Sequence, residues 1–158
     1  ILENKKISLK KPVPYKSKYK KLGDDLLIPT RIYVKEILPL IKRRLLNSIA
    51  HITGGGIYEN LSRIVPNNYQ AIISFKKFNI PERFLWLKKI ANLEKIEMLK
   101  TFNCGIGLIL IIDFKNETKV YNYLRNKKIK FHLMGEVKKK NNCKKKVVIK
   151  KFGRWHLI

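Results

Sequence analysis

Apolar and polar positions along this chain fall into short blocks whose period switches between helix-like and strand-like. Val34, Ile37, Leu38, Ile41 and Leu45 recur at helical spacing and predict a helix over 31–46, kinked at Pro39. Residues 48–53 read as a short apolar strand that runs into Gly54, Gly55 and Gly56. After them Ile57, Leu61, Ile64 and Val65 trace one helical face. A Pro66-Asn67-Asn68 turn leads to the β-forming stretch 69–75, and Pro81 opens a helix carrying Phe84, Leu87, Lys88 and Ala91, with Trp86 on its flank.

The second half of the chain continues the alternation. A short helix is expected over 93–99, followed by 106–112, whose residues are apolar on both faces and so predict a nearly fully buried central strand. Asn116 is placed to cap a helix carrying Val120, Tyr123 and Leu124. Strands are expected over 129–137 and 147–149, joined by a Lys/Asn-rich hairpin at 138–146. Residues 1–22, rich in Lys and broken by Pro12 and Pro14, read as a polar connector closed by Gly23, and 152–158 carry no clear pattern. Strands alternating with helices predict an α/β (α+β) fold in which helices pack on a sheet.

The 158 residues include 36 Lys+Arg against 11 Asp+Glu, a formal charge of +25, yet 45% are hydrophobic, enough for a core. Such a charge attracts polyanions, which makes a non-enzymatic basic module that binds nucleic acid or other polyanions the alternative reading. Against it, 29 of the basic residues are Lys and only 7 are Arg, the side chain that reads phosphates and guanines in bidentate fashion. The lysines crowd into 5–21 and 138–151, so nucleic acid is not the expected partner. No apolar run approaches the ~18–20 residues of a membrane span. Cys104 and Cys143 form no CxxC pair, which suits a reducing compartment and offers no metal site.

Candidate chemistry centres on His51-Ile52-Thr53-Gly54-Gly55-Gly56, which sets glycines between a strand and a helix, where backbone N–H groups and the helix N-terminus can meet an anion. The spacing is neither GxxxxGK[ST] nor GxGxxG, so a standard nucleotide-loop assignment fails and a plain tight turn stays open. His51 is open to three roles: general base, donor to substrate, or a satisfied core histidine. Asn60 can turn back toward the loop, whereas Glu59 is expected to face solvent or pair with Arg63. Cys104, between Asn103 and Gly105, reads as a small buried thiol in preference to a nucleophile. His132 and His156 have no ligand spacing.

Three words in register carry a resemblance: IPTRIYV at 28–34, AHITGGGIYENLSR at 50–63 and KTFNCGIG at 100–107. Together they closely resemble phosphoribosylformylglycinamidine cyclo-ligase, the AIR synthetase family of purine biosynthesis, over its C-terminal domain. The resemblance implies a three-layer α/β/α domain with a mixed β-sheet. It divides the chain into a basic connector at 1–23 from a missing N-terminal ATP-binding domain, the C-terminal domain at 24–150 and a tail at 151–158. It further implies ATP-dependent ring closure of formylglycinamidine ribonucleotide to aminoimidazole ribonucleotide by a cytoplasmic homodimer with no membrane partner. ATP and Mg²⁺ would be bound mainly by the N-terminal domain, leaving a fragment inactive alone. Carried over residue by residue, it assigns Thr53, Gly54, Gly55, Gly56, Asn60, Asn103 and Gly105 to substrate or phosphate binding, and His51 to substrate orientation or proton transfer.

Overall fold

A computed structural model of the chain describes residues 1–140, 145–153 and 155. The expectations for Cys143, for the tip of the 138–146 hairpin and for His156 lie outside the described residues. Six α-helices are described: α1 (Leu22–Leu26), α2 (Val34–Lys42), α3 (Gly56–Ile64), α4 (Glu82–Ala91), α5 (Lys95–Thr101) and α6 (Glu117–Asn126). They alternate with five strands, β1 (Ser48–His51), β2 (Tyr69–Ser74), β3 (Leu108–Ile111), β4 (Gly135–Lys139) and β5 (Val147–Lys151). The result is the expected mixed α/β class, with the strands divided between two sheets.

β2 is the centre of the larger sheet, antiparallel to β4 on one side and parallel to β5 on the other. Ala71 therefore faces Val137 and Val147 across the two ladders, and Ile73 faces Gly135 and Ile149. This period-2 face covers the main core, where Ile52, Ile57, Leu61, Phe75, Met98 and Leu99 are fully or almost fully buried. Each such side chain contributes about 1.5–3 kcal/mol by leaving water. The smaller sheet pairs β1 with β3 antiparallel, His51 opposite Leu108. A second cluster, Ile37, Leu40 and Leu45 with Val120 and Leu124, fastens α2 to α6.

Local signals explain several boundaries. α5 starts with a reciprocal capping box in which Glu94 and Glu97 satisfy each other's backbone amides. α4 ends at Asn92, which takes the left-handed conformation at φ 51°. Pro81 precedes α4 as expected.

Other expectations are corrected. The helix predicted over 31–46 is shorter, and its buried residues are Ile37 and Leu40; Val34, Leu38 and Ile41 of the predicted stripe are exposed. β3 is a half-buried strand paired with β1 alone, and its apolarity on both faces reflects an apolar cleft alongside it. β4 and β5 do not form a hairpin, because they lie on opposite edges of β2, and residues 129–134 belong to no strand. Asn116 precedes α6 but makes no side-chain cap; Asp113 instead caps the 3-10 turn Phe114–Asn116 by accepting the Lys115 amide.

The lysine-rich beginning of the chain is irregular but fastened down. Asp25, only 2% exposed, accepts hydrogen bonds from the Tyr15 hydroxyl at 2.8 Å and the Ser17 hydroxyl at 2.6 Å. The Arg83 guanidinium on α4 lies 3.3 Å from the same carboxylate, and the Tyr15 ring leans on Trp86 with centroids 5.5 Å apart.

Candidate functional site

The chain between β1 and α3 turns on its glycines. Gly55 sits at φ 85° and Gly56 at φ 58°, left-handed values that side-chain-bearing residues rarely adopt. At Gly56 a Cβ would strike the Leu99 carbonyl, so the missing side chain is what lets α3 start flush against the end of α5.

Asn60, 93% buried, reaches back one turn and donates its side-chain amide to the Gly54 carbonyl at 3.0 Å and the Gly56 carbonyl at 2.8 Å. The Gly56 amide donates to the Thr53 carbonyl at 3.1 Å. Among the described residues the amides of Gly54, Gly55, Ile57 and Tyr58 have no protein acceptor, and α3 has no side-chain N-cap. Unpaired amides at the N-terminus of a nine-residue helix give local positive potential. Ile57 is fully buried, whereas Gly54 is exposed and Gly55 and Tyr58 are partly so, so the amides that solvent reaches form an open shelf and not an enclosed pocket.

Beside the shelf stands one carboxylate. Glu59, ion-paired with Arg63 one turn on as expected, places its Oε2 where a Gly55 side chain would be.

The second glycine-bearing loop abuts the first. The Ile52 amide donates to the Gly107 carbonyl at 2.9 Å, and the α5 carbonyl against which Gly56 packs lies just ahead of Asn103. Asn103 folds on itself, its Oδ1 accepting the Gly105 amide at 3.0 Å and its carbonyl accepting the Ile106 amide at 2.9 Å. Asn103 thereby shapes the turn. Cys104 is fully buried, its thiol donates to the Met98 carbonyl at 3.4 Å, and burial pushes its pKa up to about 12, the chemistry of an inert core thiol.

His51 is exposed at the end of β1, which removes the core-histidine reading. Its ring meets Tyr33 edge to face with centroids 6.0 Å apart. Tyr33 comes from the 28–34 word, for which the sequence suggested no individual role. Its position in that word was the only signal.

A cleft of about 430 Å³ runs along β3 and the 129–137 stretch, reaching Arg31, Tyr33 and Gly107 at one end. Of the candidate residues only Gly105 lines it, so the glycine shelf and the cleft are separate features. No three His, Cys, Asp or Glu side chains cluster at metal-binding distance among the described residues, and none of the described helices is long and apolar enough to cross a membrane.

Comparison with known proteins identifies the family. Residues 1–148 match the family model described as AIR synthase related protein, C-terminal domain. The trifunctional purine biosynthetic protein adenosine-3 of Chironomus tentans is 43% identical over 111 residues, 70% of this chain and 8% of that protein. The bifunctional purine biosynthetic protein PUR2,5 of Pichia angusta is 41% identical over 125 residues, 79% of this chain and 16% of that protein. The chain thus spans a small part of the relatives it matches.

Proposed function

The chain belongs to the AIR synthase related protein C-terminal domain family, and on that premise we propose that it serves purine biosynthesis as part of a cyclo-ligase that closes formylglycinamidine ribonucleotide to aminoimidazole ribonucleotide. The observation that carries the proposal is the shelf of unpaired, solvent-reachable amides at Gly54, Gly55 and Tyr58, backed by Asn60. Such a shelf suits a phosphate group, either the ribose phosphate of the substrate or the transferred phosphoryl.

ATP would supply the phosphoryl group that activates the substrate oxygen for displacement. In this reading the chain's residues position and neutralise. Gly54 and Gly55 donate N–H groups to phosphate oxygens, and Asn60 keeps those donors aimed by holding the loop carbonyls away. His51, exposed three residues upstream of Gly54, would orient the substrate or take up the proton released when the ring nitrogen attacks. Mg²⁺ has no donor set among the described residues, so no step is assigned to it. An ATP-binding N-terminal domain would hold nucleotide and metal, and residues 1–23 would connect to it.

The test is fusion or co-expression of this chain with the N-terminal domain of a family member, followed by an assay of ATP-dependent aminoimidazole ribonucleotide formation. Activity should appear with the wild-type chain and fall by orders of magnitude with Gly55→Asp, which sets a second carboxylate on the shelf. Full activity in that variant would remove the loop assignment.

A further inference from the structure

We propose that Tyr33 is the positioning residue of His51, fixing the orientation in which the imidazole faces the glycine shelf. The proposal rests on the reading of His51 as a working residue of that site. It explains why three words distant in sequence meet at one contact.

Tyr33 is itself firmly held. It stands at the N-cap of α2, where its carbonyl accepts the amides of Glu36 at 3.2 Å and Ile37 at 3.0 Å. The Arg31 guanidinium lies over its ring, 5.7 Å from the centroid, and is anchored in turn by Glu36 at 2.9 Å. The Tyr123 hydroxyl donates to the Glu36 carbonyl at 2.9 Å, which ties this end of α2 to α6.

The far end of the ring lies against Gly107. The Tyr33 hydroxyl occupies the space a side chain at Gly107 would need, so residue 107 has room for hydrogen alone. Gly107 also accepts the Ile52 amide at 2.9 Å, so the backbone under the tyrosine is the backbone that fixes the end of β1. His51 projects from this strand end, exposed, with the Tyr33 ring as its described aromatic neighbour at 72° between planes. An exposed histidine samples several rotamers unless a neighbour selects one, and an edge-to-face ring contact makes such a selection. The 28–34 word supplies the ring, the 50–63 word the imidazole, and the 100–107 word the vacant space.

The experiment uses the 158-residue chain and proton NMR of its histidine rings at fixed pH, with and without inorganic phosphate. In the wild type, cross-relaxation between the Tyr33 and His51 rings is expected, together with a ring-current displacement of the His51 protons. Tyr33→Leu should abolish the displacement. Gly107→Ala should do the same by evicting the tyrosine ring while leaving both partners chemically intact. Tyr33→Phe, which keeps the ring, should restore the wild-type spectrum.

His132 packs edge-on against Phe78 with centroids 5.2 Å apart, and its unchanged resonances report that each variant is folded. The phosphate-induced shift of His51 should be lost in Tyr33→Leu and retained in Tyr33→Phe, a pattern that general packing at residue 33 does not produce. Wild-type His51 resonances and phosphate response in a folded Tyr33→Leu protein would overturn the proposal. Absence of any phosphate response at the Gly54 and Gly55 amides of the wild type would instead overturn the shelf reading, while the ring displacement still decides the role of Tyr33.

Discussion

The side-chain amide of Asn60 spans two carbonyls of the loop that precedes its helix, 3.0 Å from Gly54 O and 2.8 Å from Gly56 O. Asn60 is only 7% exposed, and its bond to Gly56 is buried while the bond to Gly54 is partly so. Asn60→Ala leaves the inner carbonyl without its donor and is expected to cost about 1–3 kcal/mol. Asn60→Asp should cost more, since a carboxylate would then face two carbonyl oxygens. Urea unfolding with an unchanged m value is the measurement. An alanine variant within roughly 0.5 kcal/mol of wild type, the spread of ordinary surface changes, would mean that the loop does not depend on this bracket.

Neighbouring glycines should respond oppositely to the same methyl group. Gly54 has open space where a side chain would start and no left-handed backbone, so Gly54→Ala is expected to be neutral or slightly stabilising, by up to about 1 kcal/mol. Gly56 combines φ 58° with the Leu99 carbonyl in the way, and Gly56→Ala should lose at least about 2 kcal/mol through backbone strain and separation of α3 from α5. Equal melting temperatures for the two variants would contradict the placement of the loop against α5.

What the sequence disclosed and what it hid divide along a physical line. The strand, glycine loop and helix at 48–64 were legible because period, turn chemistry and helix start all act within a few residues. β3 was misplaced because a run of apolar residues reports burial on both faces without saying which partners supply it. Its pairing with β1 alone spans some sixty residues of chain. The α2 stripe was misread for a similar reason, since Val34 and Leu38 satisfy helical spacing as well as Ile37 and Leu40 do, and only the contact with α6 selects the inner pair. Nothing local marked Asp25 as the buried anchor of Tyr15, Ser17 and Arg83. At the site, the glycine loop and Asn60 could be named in advance, whereas Tyr33 acquires its place only when β1 and β3 pair.

Cys104 gives the molecule a predictable weakness in alkali. Its buried thiol stays protonated up to about 12, while the unfolded thiol ionises near ~8.5. Above that lower value the unfolded state binds fewer protons than the folded one, so stability declines as pH rises, by up to about 1.4 kcal/mol per pH unit, until the folded thiol also ionises. Below ~8.5 the contribution is fully present. Tyr15, also raised by burial and by its bond to Asp25, acts in the same direction, so some decline persists without the cysteine. Urea midpoints between about pH 7.5 and 10.5 should therefore fall more steeply in wild type than in Cys104→Ala. In a Cys143→Ser background, alkylation should require unfolding. Rapid alkylation of the folded Cys143→Ser protein would contradict the burial of Cys104.

Glu59 stands against the purpose proposed for the shelf, and that conflict can be measured. Its carboxylate occupies the space beside Gly55, where a phosphate would sit on the Gly54 and Gly55 amides, although its partner Arg63 and its own exposure soften the repulsion. A negative charge in the first turn also stabilises the helix, and an exposed i,i+4 ion pair contributes about 0.3–0.5 kcal/mol, so Glu59→Gln should cost roughly 0.5 kcal/mol of folding stability. For phosphate the sign reverses. Removing one exposed charge next to the bound anion is worth about 0.4–1 kcal/mol, a two- to fivefold gain in affinity at low salt that shrinks as ionic strength rises. Following the Gly54 and Gly55 amide resonances during a phosphate titration reads this directly. Weaker binding in Glu59→Gln would show that the carboxylate takes part in holding the ligand, through a cation or a proton it shares with the phosphate, and the site would then have to be rebuilt around Glu59 and Arg63 as well as the glycines.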